Sequence, residues 1–351
     1  MEGPLANDRQ VAFEALYADM EQEHLYPLWK ALGTMVTPVP RGGGTGVKWR
    51  FSDIRRHLMR AGDLISAEEA ERRVLILENP QLPGSRGITT SLYAGLQLIL
   101  PGEVAPCHRH SQSALRFVLE GEGAFTAVDG EKAFMHEFDL ILTPGWQWHD
   151  HANPSSRPMI WLDGLDVQTV KTFDASFAEK MGEASHPETV PTGDNVLRYG
   201  RNLRPMRGTS AERRPRALPL FYYPYAQWRE SLDRLARSDE PDPHFGFALE
   251  FTNPADGGSI MPTMSAHVRL MPRGFAAAPR RASDATVFVV VEGHGSARVG
   301  DMELTLSGSD IFVVPAWHRL TLTANSDLVL FGYSDRAAQE KLGLFREARG
   351  D

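Results

Sequence analysis

Two distant stretches of the chain repeat each other, and the repeat limits the fold more than any other feature of the sequence. Leu119-Glu-Gly-Glu-Gly123 returns as Val291-Glu-Gly-His-Gly295, and Asp139-Leu-Ile-Leu-Thr-Pro-Gly-Trp146 returns as Asp310-Ile-Phe-Val-Val-Pro-Ala-Trp317. The interval from Gly121 to Pro144 agrees with that from Gly293 to Pro315 within one residue. Two matches in register identify a duplicated unit. Around each lie short β-like runs parted by Gly and Pro, such as Leu92–Leu100 and Ala124–Val128 in the first copy, and His267–Met271 and Thr286–Val291 in the second. This spacing predicts an all-β sandwich or barrel in each copy.

The flanks read as helix. Phe13, Leu16, Tyr17 and Met20 recur at helical spacing from about Asp8, and Leu25, Leu28 and Leu32 continue the pattern to Met35, with a break or kink at Pro27. A second helix is expected from Phe51 to Arg60, and Ser66-Ala-Glu-Glu69 fits an N-cap with acidic residues after it. A third is expected from Ala226 to Ala236, and the end from Ala337 to Arg349 reads as an amphipathic helix.

With 42% hydrophobic and 23% charged residues, the composition is that of a globular protein. A formal net charge of −8 argues against nucleic-acid or membrane-surface binding; the densest basic cluster, Arg213-Arg-Pro-Arg216, suits a solvated loop. The polar, acidic N-terminal stretch, the lack of a long apolar run and the single cysteine, Cys107, lead us to expect a cytoplasmic protein.

Four of the twelve histidines fall in two short stretches of the first copy, around His108-Arg-His110 and His149-Asp-His151. On a strand, His108 and His110 project to one face, and a third imidazole from a distant strand would complete a metal site. If the strand ran on unbroken, Gln112, Ala114 and Arg116 would share that face, placing the Arg116 guanidinium where it could fork onto a carboxylate. On the preceding strand Tyr93, Gly95 and Gln97 share a face, with Gly95 leaving room for an aromatic ring. His151 lies on the side of His149, placed to hydrogen-bond a substrate oxygen or to transfer a proton. Cys107 points the other way.

These residues resemble the two motifs of the cupin superfamily. Gly102, His108, His110 and Gly121 fit the first, and Pro144, His149 and Asn153 fit the second, with Phe138 and Trp146 where glycines are usual. The customary glutamate ligand is replaced by Ala114, which leaves three histidines: His108, His110 and His149. In the second copy the ligand positions become Arg280, Ala282, Thr286 and Leu320, so no metal ligand survives there. His294 and His318 lie off the ligand positions.

A more specific resemblance, covering nearly the whole chain, is to the gentisate and salicylate 1,2-dioxygenases. It is carried by Glu71-Arg-Arg-Val-Leu-Ile-Leu-Glu-Asn-Pro80, Ser91-Leu-Tyr-Ala-Gly-Leu-Gln97, His108-Arg-His-Ser-Gln-Ser-Ala-Leu-Arg-Phe117, Trp148-His-Asp-His151 and Glu340-Lys-Leu-Gly-Leu-Phe-Arg-Glu347. The resemblance implies an all-β bicupin of two jelly-roll barrels with N-terminal, linker and C-terminal helices. The expected divisions are a helical region at 1–72, a metal-bearing cupin at 73–183, a linker with a helix at 184–250 and a ligand-free cupin at 251–351. It implies Fe(II) on the three histidines and opening of a 2-hydroxybenzoate ring by O2 between the carboxyl- and hydroxyl-bearing carbons. Gentisate, giving maleylpyruvate, is the first expectation; salicylate, 5-nitrosalicylate and 1-hydroxy-2-naphthoate are alternatives. Arg72, Gln97, Arg116, His151 and Asp163 match positions that line the substrate pocket, and a homotetramer is implied.

Three neutral imidazoles leave a divalent ion its full formal charge, which suits a substrate that chelates through carboxylate and phenolate. Other readings of single residues stay open. Arg72 has Glu68, Glu69 and Glu71 beside it and fits a surface ion pair; Asp163 fits a turn; Gln97 fits an inter-strand hydrogen bond; Tyr93 fits core packing. Two other functions also stay open: a non-catalytic bicupin that binds a small acid or carbohydrate, and a zinc or manganese isomerase.

Overall fold

A computed structural model describes residues 4–201, 206 and 218–350. The chain divides into two compact units, residues 1–41 and 42–351. In the first, α1 (Pro4–Gln22) and α2 (Leu28–Met35) show that the helical pattern is broken, and not kinked, at Pro27. Pro27 is extended at φ −71° and ψ 117° and forms the N-cap of α2, so the proline separates two helices. Trp29 Nε1 donates to the Tyr17 hydroxyl at 3.2 Å, tying the pair together.

The second unit is built from four antiparallel sheets, two for each sequence copy. In the first copy a six-stranded sheet runs β12 (Tyr222–Tyr223), β8 (Leu140–Thr143), β5 (Ala114–Glu120), β10 (Met159–Leu165), β3 (Tyr93–Ile99) and β2 (Val74–Ile76). Its partner runs β11 (Ala178–Lys180), β4 (Val104–His110), β9 (His149–Ala152), β6 (Phe125–Val128) and β7 (Glu131–Phe134). In the second copy the six-stranded sheet is β1 (Val47–Trp49), β19 (Ile311–Val314), β16 (Thr286–Glu292), β21 (Leu328–Ser334), β14 (Ser265–Met271) and β13 (Phe247–Glu250). The five-stranded sheet is β18 (Met302–Leu306), β17 (Gly295–Val299), β20 (Leu320–Ala324), β15 (Arg280–Ala282) and β22 (Glu347–Arg349).

The duplication holds at the level of register. His108 faces His149 across β4 and β9, and Arg280 faces Leu320 across β15 and β20. Lys180 faces His108, and Arg349 faces Arg280. The Trp146 N–H donates to the His110 carbonyl at 2.7 Å, and the Trp317 N–H to the Ala282 carbonyl at 2.6 Å. The two residues standing where glycine is usual, Phe138 and Trp146, have φ of 65° and 67°, and their counterparts Ser309 and Trp317 have 63° and 62°. Both turns therefore keep the left-handed backbone without the residue that adopts it freely, at a cost of roughly 1–2 kcal/mol each.

Two edges are closed by strands from elsewhere in the chain. β1 pairs with Ile311–Val313, and β12 pairs with Ile141 and Leu140. One continuous core holds residues of both six-stranded sheets: Phe117 stacks on Phe331 with centroids 4.0 Å apart, and the Tyr333 hydroxyl donates to the Tyr93 carbonyl at 2.8 Å.

Six described helices complete the unit. α3 (Phe51–Leu64) runs beyond Arg60 and buries Ile54 and Leu58; α4 (Ala67–Ala70) starts at a full capping box between Ser66 and Glu69, as expected. α5 (Val167–Thr172), α6 (Asp194–Tyr199) and α7 (Tyr225–Ser238) follow. The C-terminal helix is shorter than its sequence suggests: α8 spans Arg336–Lys341, Gly343 takes φ 71°, and Glu347–Arg349 joins a sheet as β22. The basic cluster at 213–216 lies outside the described residues. Among those described, no helix is long and apolar enough to cross a membrane.

Candidate active site

His108 and His110 sit on β4 and His149 opens β9, and their ligand-capable nitrogens lie within 4.8 Å of one another. The ring centroids are 4.2 Å apart for His108 and His149, and 4.8 Å for His110 and His149. β4 is irregular between Ala105 and His108, a bulge that resets the facing of the strand just before the first histidine.

The backbone sets the tautomers. Nδ1 of His110 lies 2.8 Å from the Gln112 carbonyl, and Nδ1 of His149 lies 2.9 Å from the Gln147 carbonyl. A carbonyl only accepts, so each Nδ1 carries the proton and each Nε2 presents a lone pair. His149 Nε2 is buried with no hydrogen-bond partner, a costly state unless something binds it. Burial drives His108 down to about 3 and His110 to about 4, and His149 well below its ordinary range. Three neutral imidazoles, two of them presenting Nε2 lone pairs and the third, His108, holding its Nδ1 lone pair against Arg72, fit a divalent transition metal once His108 exchanges tautomer. Ala114 is buried at the start of β5, facing Thr143, so no carboxylate reaches the cluster from the position where a cupin glutamate would stand.

The expected unbroken strand from His108 to Arg116 does not exist. β4 ends at His110, residues 111–113 turn, and β5 belongs to the opposite sheet. Gln112 is drawn aside, donating to the Ser176 hydroxyl at 2.6 Å. Arg116 nonetheless lies close to the histidines, because the two sheets face one another and its charge depresses all three. It is buried beside Asp163 (3.4 Å) and donates to the Thr143 hydroxyl. Asp163 also accepts from Trp161 Nε1 at 3.0 Å. Burial lifts its carboxyl to about 6 even against Arg116 and Arg72. It is a buried strand residue, not a turn.

Arg72 is half-buried and makes no surface ion pair with its acidic neighbours; Glu71 pairs instead with Lys180 at 2.6 Å. Arg72 Nη2 donates to the Pro106 carbonyl at 2.7 Å and lies 2.6 Å from His108 Nδ1. Burial, then repulsion from Arg116, brings it down to about 10. His108 and Arg72 line one side of an open groove of about 800 Å³ bounded by α4, β4 and β11.

His151 is buried on β9, its ring centroid 5.9 Å from that of His149 and 5.4 Å from that of Trp161. Its Nδ1 lies 2.9 Å from the Thr126 hydroxyl, which donates to Met135 Sδ at 3.4 Å. Nε2 is buried and unpartnered. Gln97 is buried on β3 opposite Trp161. The space beside Gly95 is not free for a substrate ring: a Cβ there would lie 2.6 Å from Val74 Cγ1 and 2.7 Å from the Tyr93 hydroxyl. Tyr93 is half-buried near Asp163, whose charge adds to burial in raising its phenol.

Sequence reasoning missed the residues that hold these groups: Thr126 behind His151, Thr143 and Trp161 around Arg116 and Asp163, and the carbonyls of Gln112 and Gln147. Their only signal is cross-strand register, such as Thr126 facing His151. Asn153, the last residue of the second motif, is structural; its amide donates to the carbonyls of Ile99 and Arg157.

Asp163 makes a pH prediction for the metal-free protein. Its folded carboxyl, at about 6, titrates above the ordinary 3.8. Between those values the folded chain holds more protons than the unfolded one, so this group's stability is present below the lower value and lost as pH rises through the higher. Thermal unfolding of the wild type should therefore weaken relative to Asp163→Asn from pH 4 to 7 (roughly, from those limits). Parallel profiles would remove the effect.

Comparison with known proteins agrees with this geometry. The cupin domain family model matches residues 95–165, which contain all three clustered histidines. Gentisate 1,2-dioxygenase 1 from Aquipseudomonas alcaligenes is 50% identical over 95% of this chain and 95% of its own. 5-Aminosalicylate 1,2-dioxygenase from a Comamonas species is 36% identical over 96% of this chain and 90% of its own. The gentisate adduct of salicylate 1,2-dioxygenase from Pseudoaminobacter salicylatoxidans superposes with a TM-score of 0.90 at 32% identity, covering 99% of this chain and 95% of that one. Similarity that extends over both copies and the flanking helices, and not over the cupin motif alone, places the chain in the gentisate 1,2-dioxygenase family of ring-cleaving dioxygenases.

Proposed function

We propose that the chain opens the ring of gentisate with O2, giving maleylpyruvate, using Fe(II) held by His108, His110 and His149. One observation carries the substrate class: two guanidinia, Arg72 and Arg116, stand beside three neutral imidazoles, with the Asp163 carboxylate against Arg116. That local excess of positive charge is matched by a small dianion such as a 2-hydroxybenzoate with its phenol ionised. Relatives that span nearly the whole chain, and act on gentisate and 5-aminosalicylate by name, support the reading.

The divalent ion supplies Lewis-acid polarisation, electron transfer and a template for substrate and oxygen. The protein's own groups do the rest. Arg116, fixed by Thr143 and Asp163, receives the substrate carboxylate as a bidentate donor. Arg72 shares that anion; when it does so it leaves His108 Nδ1, which takes up a proton as Nε2 releases one and donates it in a hydrogen bond to the Pro106 carbonyl 3.3 Å away. The change puts the lone pair of His108 on Nε2, as in the other two histidines. His151 Nε2 accepts the proton of a substrate hydroxyl, its Nδ1 pinned on Thr126. Gln97 and Tyr93 wall the pocket from β3. We further propose a cytoplasmic homotetramer; the exposed Leu28, Trp29, Leu32 and Met35 of α2 support assembly.

Oxygen uptake by the Fe(II)-loaded protein with gentisate, salicylate, 5-nitrosalicylate and 1-hydroxy-2-naphthoate tests the substrate. We expect kcat/KM for gentisate to exceed the others by about tenfold or more. A preference for another member of the panel would overturn gentisate while leaving ring cleavage in place.

A further inference from the structure

Among the described residues the second copy has no histidine cluster, yet its interior is not an inert apolar core. Arg269 takes the place of Gln97: it faces Leu330 across β14 and β21 as Gln97 faces Trp161 across β3 and β10. Arg280 takes the place of His108. Phe288, opposite Gly332, stands where Arg116 stands opposite Asp163, and the His267 ring fills the space beside Gly332, 2.8 Å from where a Cβ would lie.

Arg269 is 5% exposed, and its Nε is buried without a hydrogen-bond partner. Its guanidinium carbon lies 4.9 Å from the Phe245 centroid and 5.1 Å from that of Phe288. Arg280 stacks on the same Phe245 ring at 4.8 Å, and its Nε reaches Glu347 at 3.2 Å. Among the described residues no carboxylate lies within ion-pair distance of Arg269; the fields of Asp284 and Asp242 reach it without contact. Burial, with Arg280 adding to it, holds this guanidinium down to about 9. Nearby polar atoms are unpaired too: His267 Nε2 and Asp284 Oδ1 are buried without partners. A buried cation without an anion is expensive, and removing it for an apolar side chain would stabilise the fold unless it has a use.

We propose that the second copy holds a small oxyanion, a carboxylate or a phosphate, between Arg269 and Arg280 against the rings of Phe245 and Phe288. The duplicated domain would then have exchanged a metal cavity for an anion cavity at the same place in the fold. The site is separate from the histidine cluster and stands or falls independently of the reaction there.

Hydrogen–deuterium exchange on the full-length protein, titrated with inorganic phosphate or with benzoate, tests this. Benzoate lacks the ortho hydroxyl needed for chelation at the first copy. Exchange in residues 265–271 and 286–292 should slow in the wild type and equally in His149→Ala. In Arg269→Met the apparent affinity should fall about thirtyfold or more, while Arg269→Lys, which keeps a charge but not the fork, should fall less. Slowing with phosphate alone assigns an inorganic ion, and slowing with benzoate alone assigns a carboxylate with an apolar body; either supports the site. No slowing with either probe, or the same affinity in Arg269→Met or in a soluble Arg269→Lys as in the wild type, overturns it.

Discussion

His149→Ala is expected to yield a folded chain that retains almost no metal and loses roughly a thousandfold or more of its ring-opening rate. Folding should survive because the Nε2 atom removed is buried without a partner, and its desolvation cost leaves with it. What remains is a small void beside His108 and His110, whose centroids lie 4.2 and 4.8 Å away. We expect the metal-free wild type and variant to unfold within about 2 kcal/mol of each other. The difference should appear on adding Fe(II): the wild type gains stability by mass action, and the variant does not. Metal analysis after desalting, with melting curves with and without Fe(II), checks both parts. Stoichiometric iron in the variant would remove His149 from the ligand set.

The second large effect is expected at Arg116. It is 4% exposed, and the side chains around it, Asp163 and Thr143, are buried with it. Arg116→Met deletes the cation but leaves the carboxylate, and breaking a buried pair on one side costs about 3–5 kcal/mol. Asp163 can relieve part of that by staying protonated, since burial already lifts it to about 6 with the arginine present. The destabilisation should therefore be larger at pH 8 than at pH 5 (roughly one pH unit or more to either side of that value). Catalysis should fall more persistently than stability. Losing the bidentate carboxylate anchor is expected to lower kcat/KM by roughly a hundredfold or more. The double variant Arg116→Met/Asp163→Asn separates the two effects: it should recover most of the stability and none of the activity. Recovery of both would make the arginine a partner of Asp163 and nothing more.

The parts of this architecture legible in sequence were those written in local patterns. The alternation of His108 and His110 and the Ser66 capping box each lie within a few residues along the chain, and the duplication and the loss of ligands in the second copy show as short motifs that repeat at matching spacing. What the sequence did not show depends on distance. Val47–Trp49 follows a glycine-rich loop and becomes a strand only because Ile311–Val313 offers an edge. The C-terminal segment has a helical apolar pattern, but Gly343 and the open edge at Arg280–Ala282 draw its last residues into a sheet.

Arg116 is the instructive case. Strand parity placed it with the histidines through a strand that in fact stops at His110. Its charge acts on all three from β5, in the other sheet of the first copy, and not along one strand. Gly95 shows the opposite outcome. A glycine on the pocket strand suggested room for a substrate ring, yet Val74 and the Tyr93 hydroxyl occupy it. Which side chain fills a gap is decided by neighbouring strands, and no single-strand pattern contains that information.

The most direct test of the account is oxygen consumption by the Fe(II)-loaded protein with gentisate, read together with the mass of the product. We predict one molecule of O2 consumed per gentisate, both oxygen atoms retained in a ring-opened acid, and no uptake by His149→Ala. Absence of uptake by the iron-loaded wild type with every 2-hydroxybenzoate tried would contradict it.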